Sequence, residues 1–181
     1  MNLYLRLLWT VLRVKFMRPI SMDEALVRTF KVLPNDLDIN GHMNNGRYLT
    51  LLDLMIVEFF ARTGFLKVLL KHGWRPMSGG AVITYRKGLK PFQTYQIRYS
   101  YAASNDIWNF MRFEFVTMEG DVCAAGYMKG AAVSKRGLVP NSVSFQKMEM
   151  QPDERPLPEA VKHWLASENA VVDEFKEAQA A

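Results

Sequence analysis

At 181 residues, 49% hydrophobic and 23% charged, the chain is long enough to bury one core with extensions, and wholesale disorder is excluded. The net charge of +5 admits nucleic acid, anionic lipid or a phosphate-bearing small molecule as partner, but the basic residues are dispersed without a nucleic-acid motif, which sets nucleic acid aside. A single cysteine, Cys123, excludes an internal disulfide, and three separated histidines (His42, His72, His163) give no metal-ligand spacing, so neither metal nor cofactor is expected.

The first eighteen residues are mostly apolar, with Asn2, Arg6, Thr10 and Arg13 recurring every three or four positions. On a helix these four make one polar stripe. The run is too short to span a bilayer, and no small-residue cleavage site argues for a secretory leader, so a cytoplasmic chain is expected. Two readings stand. Residues 1–18 form a peripheral membrane helix with Arg6, Arg13, Lys15 and Arg18 near headgroups, or a helix packed on its own domain or on a partner subunit.

After Arg18-Pro19 and a connector, residues 25–33 alternate as a strand, stopped by Pro34. Residues 36–48 then gather a carboxylate, an amide and an imidazole, Asp38, Asn40 and His42, in a turn-prone segment just before a helix. A helix N-terminus offers free N–H groups and a dipole that favours developing negative charge, which suits acyl transfer or hydrolysis. Taken singly, each of these residues reads more readily as a cap or a turn former, and only the combination points to chemistry.

Asn44 or Asn45 caps a helix running to about Thr63, apolar nearly all round and hence enclosed, with a short second helix at 65–72. Beyond Gly79-Gly80 the period changes to two, and residues 81–87, 93–103, 107–118 and 121–134 read as strands joined in part by hairpin turns at 104–106 and 119–121. A Pro-rich linker (152–158) and one or two surface helices anchored by Trp164 follow. The expectation is an α+β fold, an antiparallel sheet about a central helix, organised as an N-terminal helix (1–20), a main domain (21–140) and a linker with a helical extension (141–181). Bare sheet edges imply a homodimer or homotetramer.

This layout, with Asp38-Ile39-Asn40-Gly41-His42-Met43-Asn44-Asn45 and Tyr48, resembles the hotdog-fold acyl-CoA thioesterases of the 4-hydroxybenzoyl-CoA type over residues 25–135. The same run looks like the Asp-x-Asn-x-His signature of plant acyl-carrier-protein thioesterases. At finer grain, residues 32–49 and the tail 156–170 are similar to the thioesterase superfamily member six-like proteins. The resemblance implies that Asp38 is nucleophile or base, that Asn40 and His42 polarise or move a proton, and that N–H groups near Asn45 and Gly46 hold the thioester oxygen.

Chemically this is coherent, since thioester hydrolysis needs a nucleophile, an oxyanion stabiliser and a proton route. Tyr48 shapes the pocket. Arg86 and Lys87, with Lys90 and Arg136, are candidates for the phosphates of a coenzyme A carrier. Asp53 and Glu58 on the helix compete for the carboxylate role but read better as structural, and Ser78 lacks a nucleophile-elbow context. The alternative from another class is a non-catalytic acyl-binding or membrane-associated scaffold; a dehydratase ranks below both.

Overall fold

The computed structural model describes residues 3–180, with side chains through Lys176; Asn2 of the polar stripe lies outside the described residues. In chain order come α1 (Leu3–Val14), β1 (Leu26–Lys31), a 3-10 turn (Pro34–Asp36), α2 (Asn45–Arg62), α3 (Phe65–His72), β2 (Arg75–Tyr85), β3 (Thr94–Ser104), β4 (Asn109–Thr117), β5 (Val122–Ser134), β6 (Gly137–Val139), α4 (Asn141–Lys147) and α5 (Glu159–Ala180). The strands form one antiparallel sheet in the order β1-β3-β4-β5-β2, with β6 added to the end of β5.

The sheet curls around α2, as its period-two pattern requires. Tyr95, Ile97, Tyr99, Phe113 and Phe115 point inward and meet Leu51, Leu52, Leu54, Met55 and Phe59 of the helix, all 0–1% exposed. Burying each such side chain contributes about 1.5–3 kcal/mol. Edge-to-face contacts fix the register, Phe59 on Tyr99 at 5.6 Å and Tyr48 on Phe115 at 4.8 Å between centroids. The helix is not enclosed all round, because Leu49 and Asp53 remain exposed.

Two boundaries differ from the sequence reading. The strand expected at 81–87 begins at Arg75 and runs through Gly79-Gly80 as a bulge. Glycine is needed at 79 because a Cβ there would overlap the Trp108 ring. The extension after residue 140 is not simply a linker and surface helices. Asn141, Ser144 and Phe145 of α4 are buried in the body of the molecule. The Pro-rich segment is pinned where Asp153 accepts from the Tyr101 hydroxyl at 3.1 Å and from Ser104 N–H at 2.9 Å. A single helix, α5, then carries Trp164 against Phe110, with Lys129 held between Trp108, Trp164 and Glu168.

The N-terminal helix is amphipathic, but its polar stripe faces inward. Arg6 and Thr10 are 5% and 0% exposed. Arg6 pairs with Asp36 at 2.7 Å, and Thr10 Oγ accepts from Arg28 at 2.7 Å, which also pairs with Glu58. Packing on its own domain is therefore what the described helix does. Among the described residues no helix is long and apolar enough to cross a membrane.

Candidate active site

The segment between β1 and α2 is built around Asp36, whose side chain is fully buried. Its carboxylate accepts from Leu33 N–H at 3.0 Å, from Arg6, and from Arg47 at 2.8 Å. Burial works to raise its pKa, but the Leu33 N–H and the two guanidiniums hold it below the usual carboxylate range. The Asp36 carbonyl also accepts from Asn44 N–H at 2.8 Å, so one residue fixes the start of α2.

From this base a tight loop projects. Leu37 and Met43 form an isolated bridge, Asp38 N–H donates to the His42 carbonyl at 2.8 Å, and Gly41 N–H donates to the Asp38 carbonyl at 3.1 Å. Gly41 lies at φ +73°, in the left-handed region that an L side chain resists. Asp38 Oδ1 accepts from Asn40 N–H at 2.8 Å and from His42 N–H at 3.4 Å, whereas among the described residues no donor reaches Oδ2. The loop thus orients the carboxylate through one oxygen alone.

Asp38, Asn40 and His42 line one open cleft of about 410 Å³, with Asn45, Tyr48, Tyr85, Arg86, Lys87 and Gly88. Every site residue expected between residues 38 and 48 except Gly46 is on that wall, and so are Arg86 and Lys87. The exception has a local cause: Asn44 caps α2 and its side-chain oxygen accepts Gly46 N–H at 2.8 Å. Arg47 N–H goes to the Asn44 carbonyl at 2.9 Å. Asn45 N–H has no acceptor among the described residues and lies at the positive end of the helix.

Tyr48 is 2% exposed, wedged between Tyr85 and Phe115, and burial pushes its hydroxyl up to about 12, so it stays a neutral phenol. Arg86 and Lys87 line the cleft mouth, but Lys87 is paired with Asp121 at 2.6 Å. Lys90 is exposed outside the cleft wall, and Arg136 sits beyond Ser134, at the opposite end of β5 from Ala124, the partner of Tyr85. Glu58 is 1% exposed and bridges Arg28 at 3.3 Å and Arg62 at 3.1 Å, a structural role. Asp53 and Ser78 instead line a separate apolar cavity of about 220 Å³ with Ile56, Phe59, Met77 and Met128. Although Asp53 keeps contact with solvent, partial desolvation by this apolar wall raises its carboxyl.

Two cleft residues escaped the sequence reading. Tyr85 donates its hydroxyl to the Asn45 carbonyl at 3.0 Å, tying the end of β2 to the helix start. Gly88 leaves room for His42; a Cβ at 88 would lie 2.8 Å from the imidazole Cδ2. Alternation along a strand does not distinguish a tyrosine that reaches a helix forty residues away. Nor does a lone glycine announce the ring that will rest on it.

The chain is 31% identical to the protein THEM6 of Xenopus laevis over 134 residues, 74% of this chain and 64% of that protein, just under two thirds of its length. It is 26% identical to THEM6 of Drosophila melanogaster over 168 residues, 91% of this chain and 84% of that one. Among solved structures, the probable thioesterase YbaW of Escherichia coli superposes with a TM-score of 0.59 at 19% identity, covering 68% of this chain and 96% of that one. The gentisyl-coenzyme A thioesterase BH1999 gives 0.59 at 21%, covering 67% and 99%. At these identities the structures share the hotdog fold. The sequence model described as the Thioesterase-like superfamily matches residues 32–165. That span holds the Asp38 loop, α2 and every strand after β1, and so the chain belongs to the thioesterase-like superfamily.

Proposed function

We propose that the chain hydrolyses acyl-CoA thioesters, fatty acyl ones first, to the free acid and coenzyme A. The observation that carries this reading is the convergence of Asp38, Asn40 and His42 on one cleft where Asn45 N–H is unspent. The substrate carbonyl oxygen accepts from Asn45 N–H, and the dipole of α2 stabilises the charge that builds there. Asp38 attacks through Oδ2 or orients water for attack; His42 carries the proton to the departing thiolate; Asn40 positions the water. The sum is one water consumed, one carbon–sulfur bond broken and one thiol released. Arg86 is the cation at the cleft mouth best placed for a carrier phosphate, Lys87 being committed to Asp121. Neighbours described as a CoA complex from Staphylococcus aureus and as a gentisyl-coenzyme A thioesterase support this substrate class.

The working unit in this reading is a homodimer or a tetramer built from it. β2 is an eleven-residue edge paired only to β5, the kind of edge a second copy covers. Antiparallel pairing of two β2 strands sets the Tyr85 end of one beside the Arg75–Ser78 end of the other. The apolar cavity of one subunit then adjoins the Asp38 cleft of its partner, ready to take the acyl chain. Residues 1–18 make peripheral contact with a membrane.

One observation favours the scaffold reading: Asp38 Oδ1 is engaged by its own loop. Thiol release from a panel of acyl-CoAs, comparing wild type with Asp38→Ala, decides between them. Turnover by the wild type that falls at least a hundredfold in the variant supports hydrolysis. No turnover at any chain length, with acyl binding retained, makes the chain a binding protein.

A further inference from the structure

An ordinary surface helix turns its apolar stripe to the core and its polar stripe to water. α1 departs from this: Leu3 and Leu7 pack on the core, but so does the polar stripe, and most of the apolar surface is left outside. Arg6 and Thr10 are buried against the domain, while Tyr4 is 75% exposed, Leu5 55%, Leu8 56%, Trp9 60%, Leu12 45% and Phe16 91%. Buried ion pairs and hydrogen bonds enforce this orientation: Arg6 to Asp36 and Arg28 to Thr10. The outward face is therefore held out by the fold itself.

We propose that this face docks the protein on an anionic lipid surface. Charge selects that occupant. From residue 3 to residue 22 no side chain is acidic; of the four basic ones Arg6 is committed inside to Asp36 and Arg18 pairs with Glu24 at the surface, which leaves Arg13 and Lys15 for headgroups. Lys15 is exposed beside the apolar face and Arg13 partly so. Anionic headgroups complement these cations, while aromatic rings with a polar edge, as in Tyr4 and Trp9, suit the boundary between headgroups and acyl chains. A second copy of the chain would bring the same cations against them and be repelled. With too little apolar length to cross the bilayer, α1 lies in its surface.

The docking helix is also tied to the cleft. The Asp36 carboxylate, two residues before Asp38, holds both Arg6 and Arg47, the latter on the first turn of α2. A docked molecule therefore keeps its cleft at a fixed height and tilt over the lipid, the arrangement for taking long-chain acyl thioesters partitioned into the membrane rather than short ones free in solution. This last step rests on the acyl-CoA thioesterase reading.

The test uses the full chain and the surface variant Leu8→Glu/Trp9→Glu, which alters no buried residue. Sedimentation with phosphatidylcholine vesicles, with and without 30% phosphatidylglycerol, is paired with hydrolysis of butyryl-CoA in solution and palmitoyl-CoA in vesicles. Expected are pelleting of the wild type that depends on phosphatidylglycerol, at least a tenfold loss in the variant, unchanged butyryl-CoA turnover and a tenfold loss on vesicle-borne palmitoyl-CoA. Equal pelleting of both forms overturns the docking surface. So does a variant that binds vesicles normally but shifts to a smaller species in size-exclusion chromatography, because a second copy then covers the face. Lipid-dependent pelleting with no turnover on any thioester supports the docking surface and overturns the hydrolase reading separately.

Discussion

Replacing Asn45 by proline isolates the proposed oxyanion donor, the Asn45 N–H, from everything else at the start of α2. Asn45 is the first helical residue, the position where proline is best tolerated, because the N–H it lacks has no intrahelical acceptor. The preceding residue, Asn44, sits at φ −59° and ψ 136°, a conformation compatible with a following proline. The Asn44 cap on Gly46 and the Tyr85 bond to the Asn45 carbonyl both survive, since neither uses the lost hydrogen. Stability should therefore change by less than about 1 kcal/mol. If Asn45 N–H grips the thioester oxygen, its loss raises the barrier by about 2.7–4 kcal/mol, a 10²–10³-fold fall in kcat. Asn45→Ala, which removes the side chain and keeps the N–H, is the control and should stay within about tenfold of wild type. The assay is steady-state thiol release with thermal unfolding of all three proteins. A proline variant as active as the alanine variant would refute the assignment of that N–H and move the oxyanion donor elsewhere in the cleft.

Three further outcomes follow from the same geometry. Gly88→Ala puts a methyl 2.8 Å from His42 Cδ2; because the ring is exposed it can swing away, so the melting temperature should hardly move while kcat falls roughly tenfold or more, and an unchanged kcat would show that imidazole placement is unimportant. Glu58→Ala leaves Arg28, 7% exposed, without its carboxylate and should destabilise by about 3–5 kcal/mol in urea unfolding; Arg28→Met combined with Glu58→Leu should recover part of that loss, and no recovery would mean the site demands charge. Acid should loosen the α1 contact: the Asp36 pKa is lowered on folding, so its contribution is complete above the ordinary carboxylate value of about 3.9 and is lost as pH falls through the depressed one. Unfolding free energy measured from pH 6 to 2 should be flat and then drop in the wild type, with the drop blunted in Asp36→Asn; parallel curves would remove Asp36 from the account.

The central features were legible in the chain because they are local or periodic. Alternation at Tyr95, Ile97, Tyr99 and Tyr101 announces a strand with one buried face, and the long apolar segment from Tyr48 announces the helix it covers. The Asp38–His42 run is one short loop, so its three side chains had to share a neighbourhood wherever the loop went. Gly79-Gly80 was misread as a boundary because glycine reads as a breaker, and the Trp108 ring that requires it there comes from the distant turn between β3 and β4. The same limit hid Tyr85 and Gly88.

What the sequence determined alone was the set of elements, their amphipathic faces and the cluster of chemical groups ahead of α2, since those depend on near neighbours. Which face of α1 would look outward was decided only by the tertiary structure. The sequence shows a polar stripe and an apolar one, and either could be buried. The choice fell to Asp36 and Glu58, carboxylates enclosed where water cannot solvate them, which draw Arg6 and Arg28 inward and leave Leu8 and Trp9 outside. The availability of Asn45 N–H was settled in the same way, by the Asn44 side chain choosing Gly46.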